Sequence, residues 1–138
     1  MDLLDEAENQ LKRAALYFTT WAQDYLKKLS GHCAEALEAD AESARGKYFQ
    51  EINLLALELR GQGGTFGYPL VTEFARSLYQ ATADGRVEVT DNHVEFYKAH
   101  IDAINVVMRG KVKGDGGETG RSLLQGLEAA RIKYASAY

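Results

Sequence analysis

The sequence predicts an all-α fold: an antiparallel four-helix bundle with one additional helix at its C-terminal end. Three observations carry this. Apolar residues recur at steps of three and four along most of the chain. A single proline, Pro69, stands in 138 residues, so little interrupts a helix once it has started. Glycine-rich breaks separate the apolar stripes. The only β-like stretch, Val87-Glu88-Val89, is too short to build a sheet.

Each element follows from its stripe. Over residues 2–29, Leu4, Ala7, Leu11, Ala15, Phe18, Ala22, Tyr25 and Leu29 line one face of a long helix, and Ser30-Gly31 offers a stop. A second helix is expected from about Cys33 to about Gly61, with Tyr48, Ile52, Leu55 and Leu59 inward and a break or bend near Gly46. Gly61-Gln62-Gly63-Gly64-Thr65 makes a tight connection. The third helix then begins near Phe66, with Pro69 in its first turn and Leu70, Val71, Phe74, Leu78 and Ala81 inward. Residues 83–86 read as a turn. Thr90 or Asp91 can cap a fourth helix whose stripe is Val94, Tyr97, Ile101, Ile104 and Met108, ended by Gly110. Residues 111–120 are glycine-rich, charged and unpatterned, the signature of a mobile linker. Thr119 is a candidate cap for a last helix over about 120–137, with Leu123, Leu127, Ala130 and Tyr134 on one side. The whole chain, 1–138, reads as one domain, with its bundle over about 2–110.

Composition excludes several functions. The chain is 46% hydrophobic and 26% charged with a net charge of -4, which suits an ordinary folded domain and not a nucleic-acid binder in need of a basic patch. No apolar run approaches the roughly 18 residues of a membrane span, and the start Met1-Asp2-Leu3-Leu4-Asp5-Glu6 lacks the basic residues of a signal peptide. A cytoplasmic protein is the expectation. Cys33 is the sole cysteine, so neither an internal disulfide nor a cysteine-held metal is expected. His93 and His100 lack a glutamate three residues before them, as a carboxylate-bridged metal site in a bundle would need. They are expected at the boundary or surface of the fourth helix, and His32 at the start of the second. Gly61-Gln62-Gly63 lacks the third glycine and the preceding strand of a dinucleotide fingerprint. The stretch from Asp115 to Ser122 imitates a phosphate loop, with Asp115 for its first glycine and Arg121 for its lysine. Neither carries a cofactor, no catalytic constellation appears, and no enzymatic activity is expected.

The informative segment closes the second helix. With Leu55 at zero and about 100° per residue, the expected core face centres near 30° and Leu57 falls near 200°, almost opposite it. Gln50, Asn53 and Gly61 share that outer side, and Arg60 adjoins it. A glycine one turn beyond Leu57 leaves bare backbone that another protein can approach closely.

Leu57-Glu58-Leu59-Arg60-Gly61-Gln62-Gly63-Gly64-Thr65-Phe66-Gly67-Tyr68 resembles the core motif of histidine-phosphotransfer (HPt) domains. That motif reads His-x-Leu-Lys-Gly-x-Ser/Ala-Gly-x-Leu-Gly, with leucines about four and eleven residues later. Leu59, Arg60, Gly61, Gly64, Gly67, Val71 and Leu78 match in register over residues 57–78, and the helix order is compatible over about 15–110. Gly63 replaces the usual small Ser or Ala. Where the family has its phosphorylated histidine, this chain has Leu57.

The resemblance implies an HPt-type bundle that contacts the receiver domain of a response regulator, or a histidine kinase, through this face. Leucine has no lone pair with which to attack an aspartyl phosphate, so phosphotransfer at this position is absent. What the resemblance leaves is docking centred on Leu57, Arg60, Gly61 and Gly64, with Gln50, Asn53 and Gly63 around them, by a monomer or weak homodimer. The last helix is a candidate cover for the face. A second reading is a structural or homo-oligomerising bundle. A third follows from Glu58-Leu59-Arg60, which also resembles the phosphoacceptor box of dimeric histidine kinases, here again without its histidine.

Overall fold

Burial decides where the helices end. The computed structural model describes residues 2–40, 42–83 and 90–134, with the backbone alone for Glu42 and Ser43. The expected 83–86 turn, Ala83 apart, and the stretch 87–89 lie outside the described residues. The described residues are mainly helical, with no strand among them. Among them, too, no helix is long and apolar enough to cross a membrane.

α1 (Leu3–Glu38) is capped by Asp2, whose carboxylate accepts the Asp5 N–H at 2.9 Å. It does not stop at Ser30-Gly31 but runs on to Glu38. Leu29, Cys33 and Ala36, on either side of the expected break, are all buried. Burying one leucine is worth about 2 kcal/mol, more than the roughly 1 kcal/mol that a glycine costs inside a helix. A short 3₁₀ turn, Glu42–Arg45, then leads into α2 (Gly46–Gly63), so the break near Gly46 is the true start of the second helix. The buried Arg45 guanidinium reaches the Asp91 carboxylate at 2.6 Å, tying this turn to the start of the fourth helix.

α3 (Pro69–Thr82) begins at its proline, and all five expected inward residues are buried. α4 (Asp91–Arg109) is capped by Thr90, and its five stripe residues are likewise buried. α1 packs on α2 and α4, and α3 packs on the same two, closing a ring. Contacts along the pairs show that neighbours are antiparallel. Phe18 meets Phe66, Tyr25 meets Glu58, and His32 meets Tyr48. Between α3 and α4, Ser77 meets His100 and Ala81 meets Tyr97.

Two expectations about the ends need correcting. Leu4, Ala7 and Leu11 are exposed, and burial on α1 begins at Phe18. Phe18 stacks on Phe66 at 4.7 Å, at the turn between α2 and α3, so the first turns of α1 project past that end of the bundle. The 111–120 linker is shorter and tied down. α5 (Gly117–Lys133) starts inside it, without help from Thr119. Gly114 N–H bonds the Gly67 carbonyl at 3.2 Å, Val112 packs against the core, and the Asp115 carboxylate takes the Gly117 N–H at 2.9 Å. Glycine-rich composition predicted motion, but these glycines serve a tight path. Gly116 has φ +73 with no room for a Cβ beside Val112 and Leu70.

α5 lays its expected stripe of Leu123, Leu127, Ala130 and Tyr134 against the core and packs on α4. It does not cover Leu57, which is 40% exposed.

Candidate functional site

The inner face of α2 is formed by Phe49, Ile52, Ala56, Leu59 and Gly63. On the helical wheel its centre lies about 50° from the centre expected from Leu55. Tyr48 and Leu55 are therefore half-buried flanks. The rotation is too small to bring Leu57 inward. It remains on the outer side with Gln50 and Gly61, and Leu54, 54% exposed, joins it. Leu54 was not singled out in the sequence, although its position three residues before Leu57 and seven before Gly61 marks the same face.

The candidate residues divide into an outer and an inner set. Gln50, Leu57, Arg60, Gly61 and Gly64 are exposed. A Cβ at Gly61 would meet nothing within 4 Å. Gly63 instead faces inward. A Cβ there would lie 2.7 Å from Thr72 Oγ1, 2.8 Å from Thr72 N and 2.9 Å from the Tyr68 carbonyl. At Gly63 α2 and α3 approach too closely for a side chain, and this buried glycine offers a partner no surface. Asn53 is half-buried, its amide donating to the Tyr79 carbonyl and to Thr82 Oγ1, both at 3.0 Å. It fastens α2 to the end of α3.

Thr72 holds the end of α2. Its hydroxyl accepts the Gly64 N–H at 2.8 Å and donates to the Arg60 carbonyl at 3.1 Å. One side chain on α3 thus bridges an acceptor in the last turn of α2 and a donor at the residue that caps its end. Gly67 follows with φ +89, a left-handed conformation that reverses the chain into α3. Thr72→Val keeps the shape and removes both bonds. The expected cost is about 1 kcal/mol, because both backbone groups lie near solvent and can turn to water, and urea unfolding followed by circular dichroism measures it.

Charge around the face is sparse and oriented. The Arg60 guanidinium lies over the Tyr79 ring, 5.5 Å from its centre. Glu58 accepts the Tyr25 hydroxyl, and that hydrogen bond to a carboxylate raises the phenol above its ordinary range. On the α1 side, Tyr17, Phe18, Trp21, Glu58, Gln62 and Phe66 line a groove of about 340 Å³. The outer side of α2 thus presents two leucines and bare backbone, with an arginine on one flank and an aromatic groove on the other.

Elsewhere among the described residues, the three histidines and the cysteine are buried or half-buried. His93 and His100, expected near the surface, are both buried. The stripe of α4 is wider than its best-spaced residues suggested and takes in both rings. His93 accepts the Thr90 N–H on Nδ1 at 3.0 Å while its own N–H bonds Thr90 Oγ1 at 3.4 Å, closing the cap of α4. His100 lies between the Phe96 carbonyl and Ser77, each at 2.8 Å. His32 is half-buried inside α1, 3.8 Å from the Glu35 carboxylate. Burial pushes the Cys33 thiol up to about 12, which keeps it protonated and unreactive. Among the described residues, no group of three His, Cys, Asp or Glu side chains could hold a metal. Compared with known proteins, the chain matches no family model, no curated protein and no solved structure.

Proposed function

We propose that this chain is an HPt-like signalling domain without a phosphoacceptor, which docks the receiver domain of a response regulator, or a histidine kinase, through the outer face of α2. The observation that carries the reading is the placement of Leu57. It stands where the resembling motif has its histidine, and it is exposed one helical turn before a glycine with open space around it. An HPt-type four-helix bundle, with α5 as an addition packed away from this face, is the fold we infer with it. Leu57 and Leu54 supply an apolar centre, Gly61 lets a partner approach the backbone, and Arg60 at the rim suits the acidic groups of a receiver's phosphorylation site. Phosphate stays on the receiver, because leucine cannot accept it. The domain then acts by occupancy, sequestering or scaffolding its partner.

The test is a binding titration of the full chain against the receiver domains, and then the kinases, encoded in the same genome. The native chain is expected to bind at least one saturably. Leu57→Glu, which buries a charge at the centre of the contact, should weaken that binding at least tenfold, about 1.4 kcal/mol. No binding by the native chain while circular dichroism shows the helices intact would overturn the reading and favour the structural bundle.

A further inference from the structure

The groove between α1 and α2 has a lining that folding alone does not account for. Tyr17 is 73% exposed and stands outside the core. Trp21, one turn on, and Phe66, in the turn after α2, are half-buried and line the groove beside it. The rings are held in place by their neighbours. Phe66 stacks on the buried Phe18 at 4.7 Å, and Trp21 packs on Tyr25 at 4.2 Å. The aromatic wall is therefore built before any ligand arrives.

Glu58 supplies the only charge among the residues that line the groove. It accepts the Tyr25 hydroxyl, which engages one of its oxygens. Among the described residues no cationic side chain pairs with it. Lys28 lies over the Tyr25 ring, 5.4 Å from its centre, but its ammonium is taken by Asp24 at 3.2 Å.

We propose that this groove binds a small organic cation that carries a quaternary ammonium group. Aromatic rings present a negative face to a cation, and a trimethylammonium head makes its contacts with rings because it has no N–H to donate. A primary ammonium brings three donors and a guanidinium five. The lining meets them with little more than the second oxygen of Glu58 and the Gln62 amide oxygen. Donors left without acceptors would cost binding. The quaternary head avoids that cost, and Glu58 balances its charge without a hydrogen bond. A neutral apolar ligand would meet the same rings but strip water from Glu58 with nothing in return. The groove's volume of about 340 Å³ falls at the lower end of the roughly 300–1,000 Å³ of small-molecule sites. The proposal does not rest on the docking reading, which its failure would leave standing.

Trp21 is the sole tryptophan of the chain, so its fluorescence reads the groove directly. The full chain is titrated with choline chloride, against sodium chloride at equal ionic strength. A saturable change of Trp21 emission is expected, with a millimolar dissociation constant, because each ring adds little at an exposed site. The neutral carbon isostere of choline, dimethylbutanol, should bind at least tenfold more weakly, and so should ethanolamine with its primary ammonium. Glu58→Gln keeps the shape and an acceptor for Tyr25 while removing the charge, and should weaken choline at least tenfold. Tyr17→Ala, at an exposed position outside the core, should weaken it at least threefold with an unchanged circular dichroism spectrum. No saturable response to choline by the native chain, its helices intact, overturns the proposal. So does equal binding of dimethylbutanol, which would make the groove a plain apolar cleft, or of ethanolamine, which would remove the quaternary preference. A choline response unchanged in Glu58→Gln or in Tyr17→Ala overturns it as well.

Discussion

Gly63→Ala is expected to destabilise the chain by about 3 kcal/mol, at the upper end of what overpacking costs. Gly61→Ala, two residues earlier on the same helix, should stabilise it by about 0.5–1 kcal/mol. The contrast comes from what a methyl group would meet. At Gly63 it would approach Thr72 N at 2.8 Å and the Tyr68 carbonyl at 2.9 Å. Both are backbone atoms, so no rotamer change makes room, and α2 and α3 must separate. Separation also loosens the Thr72 bridge to Arg60 and Gly64. At Gly61 the methyl group would meet nothing within 4 Å. The added side chain there only restricts the unfolded chain and favours the helix. Urea unfolding of the two variants against the native chain measures both signs. A Gly63→Ala protein as stable as the native one would mean that the helices do not meet as closely as described.

The same pair of variants bears on function. If Gly61→Ala stabilises the fold, the fold has no use for a glycine at that position, and its use lies at the surface. A partner that rests on the bare backbone should then lose affinity for a variant that folds better. Stability and binding would move in opposite directions, which no purely structural role for Gly61 produces.

How far the sequence could be read depended on where an apolar residue found a partner. The stripes of α3 and α4 were legible residue by residue, because both helices lie inside the ring and every stripe residue has a neighbour to pack on. The stripe on α1 was legible as a helix and misleading as core. Periodicity reports that Leu4, Ala7 and Leu11 share a face, but what faces them is a property of the other helices, and these end at Phe18. Ser30-Gly31 read as a stop because local preference favours one, and it yielded to the burial of Leu29, Cys33 and Ala36. The 111–120 segment read as mobile from composition, whereas its hydrogen bond to Gly67 joins residues far apart in sequence. On the candidate site, Leu57, Arg60 and Gly61 could be placed on the outer side by counting turns. The same count puts Gly63 on the inner side, but the helix was expected to end near Gly61, and the close contact with Thr72, nine residues on, leaves no mark in the sequence.

A second large effect is expected with pH, and it comes from His100. This ring is fully buried between α3 and α4. The Phe96 carbonyl at 2.8 Å can only accept, so Nδ1 carries the proton and Nε2 is left to accept from the Ser77 hydroxyl at 2.8 Å. The neutral ring is thus fully bonded, while a charged one would need solvation that the core does not supply. Burial lowers its pKa to about 4, against a smaller upward pull from the Phe96 carbonyl. In the unfolded chain the same group titrates near 6.5. Above pH 6.5 the ring is neutral in both states and stability is unaffected. Between pH 6.5 and 4 the unfolded chain binds a proton that the folded chain refuses, so stability falls as pH falls. The total loss through this window is about 3 kcal/mol, and it levels off once both states are protonated. Urea unfolding at intervals from pH 7.5 to pH 4 should show this slope in the native chain. His100→Gln, which cannot titrate there, should remove most of it, whatever the variant costs at neutral pH. The shared titration of surface carboxylates cancels in the difference between the two curves. Equal slopes would mean that His100 is accessible to protons in the folded state, and an α3–α4 contact loose enough to admit water would then replace the closed one described.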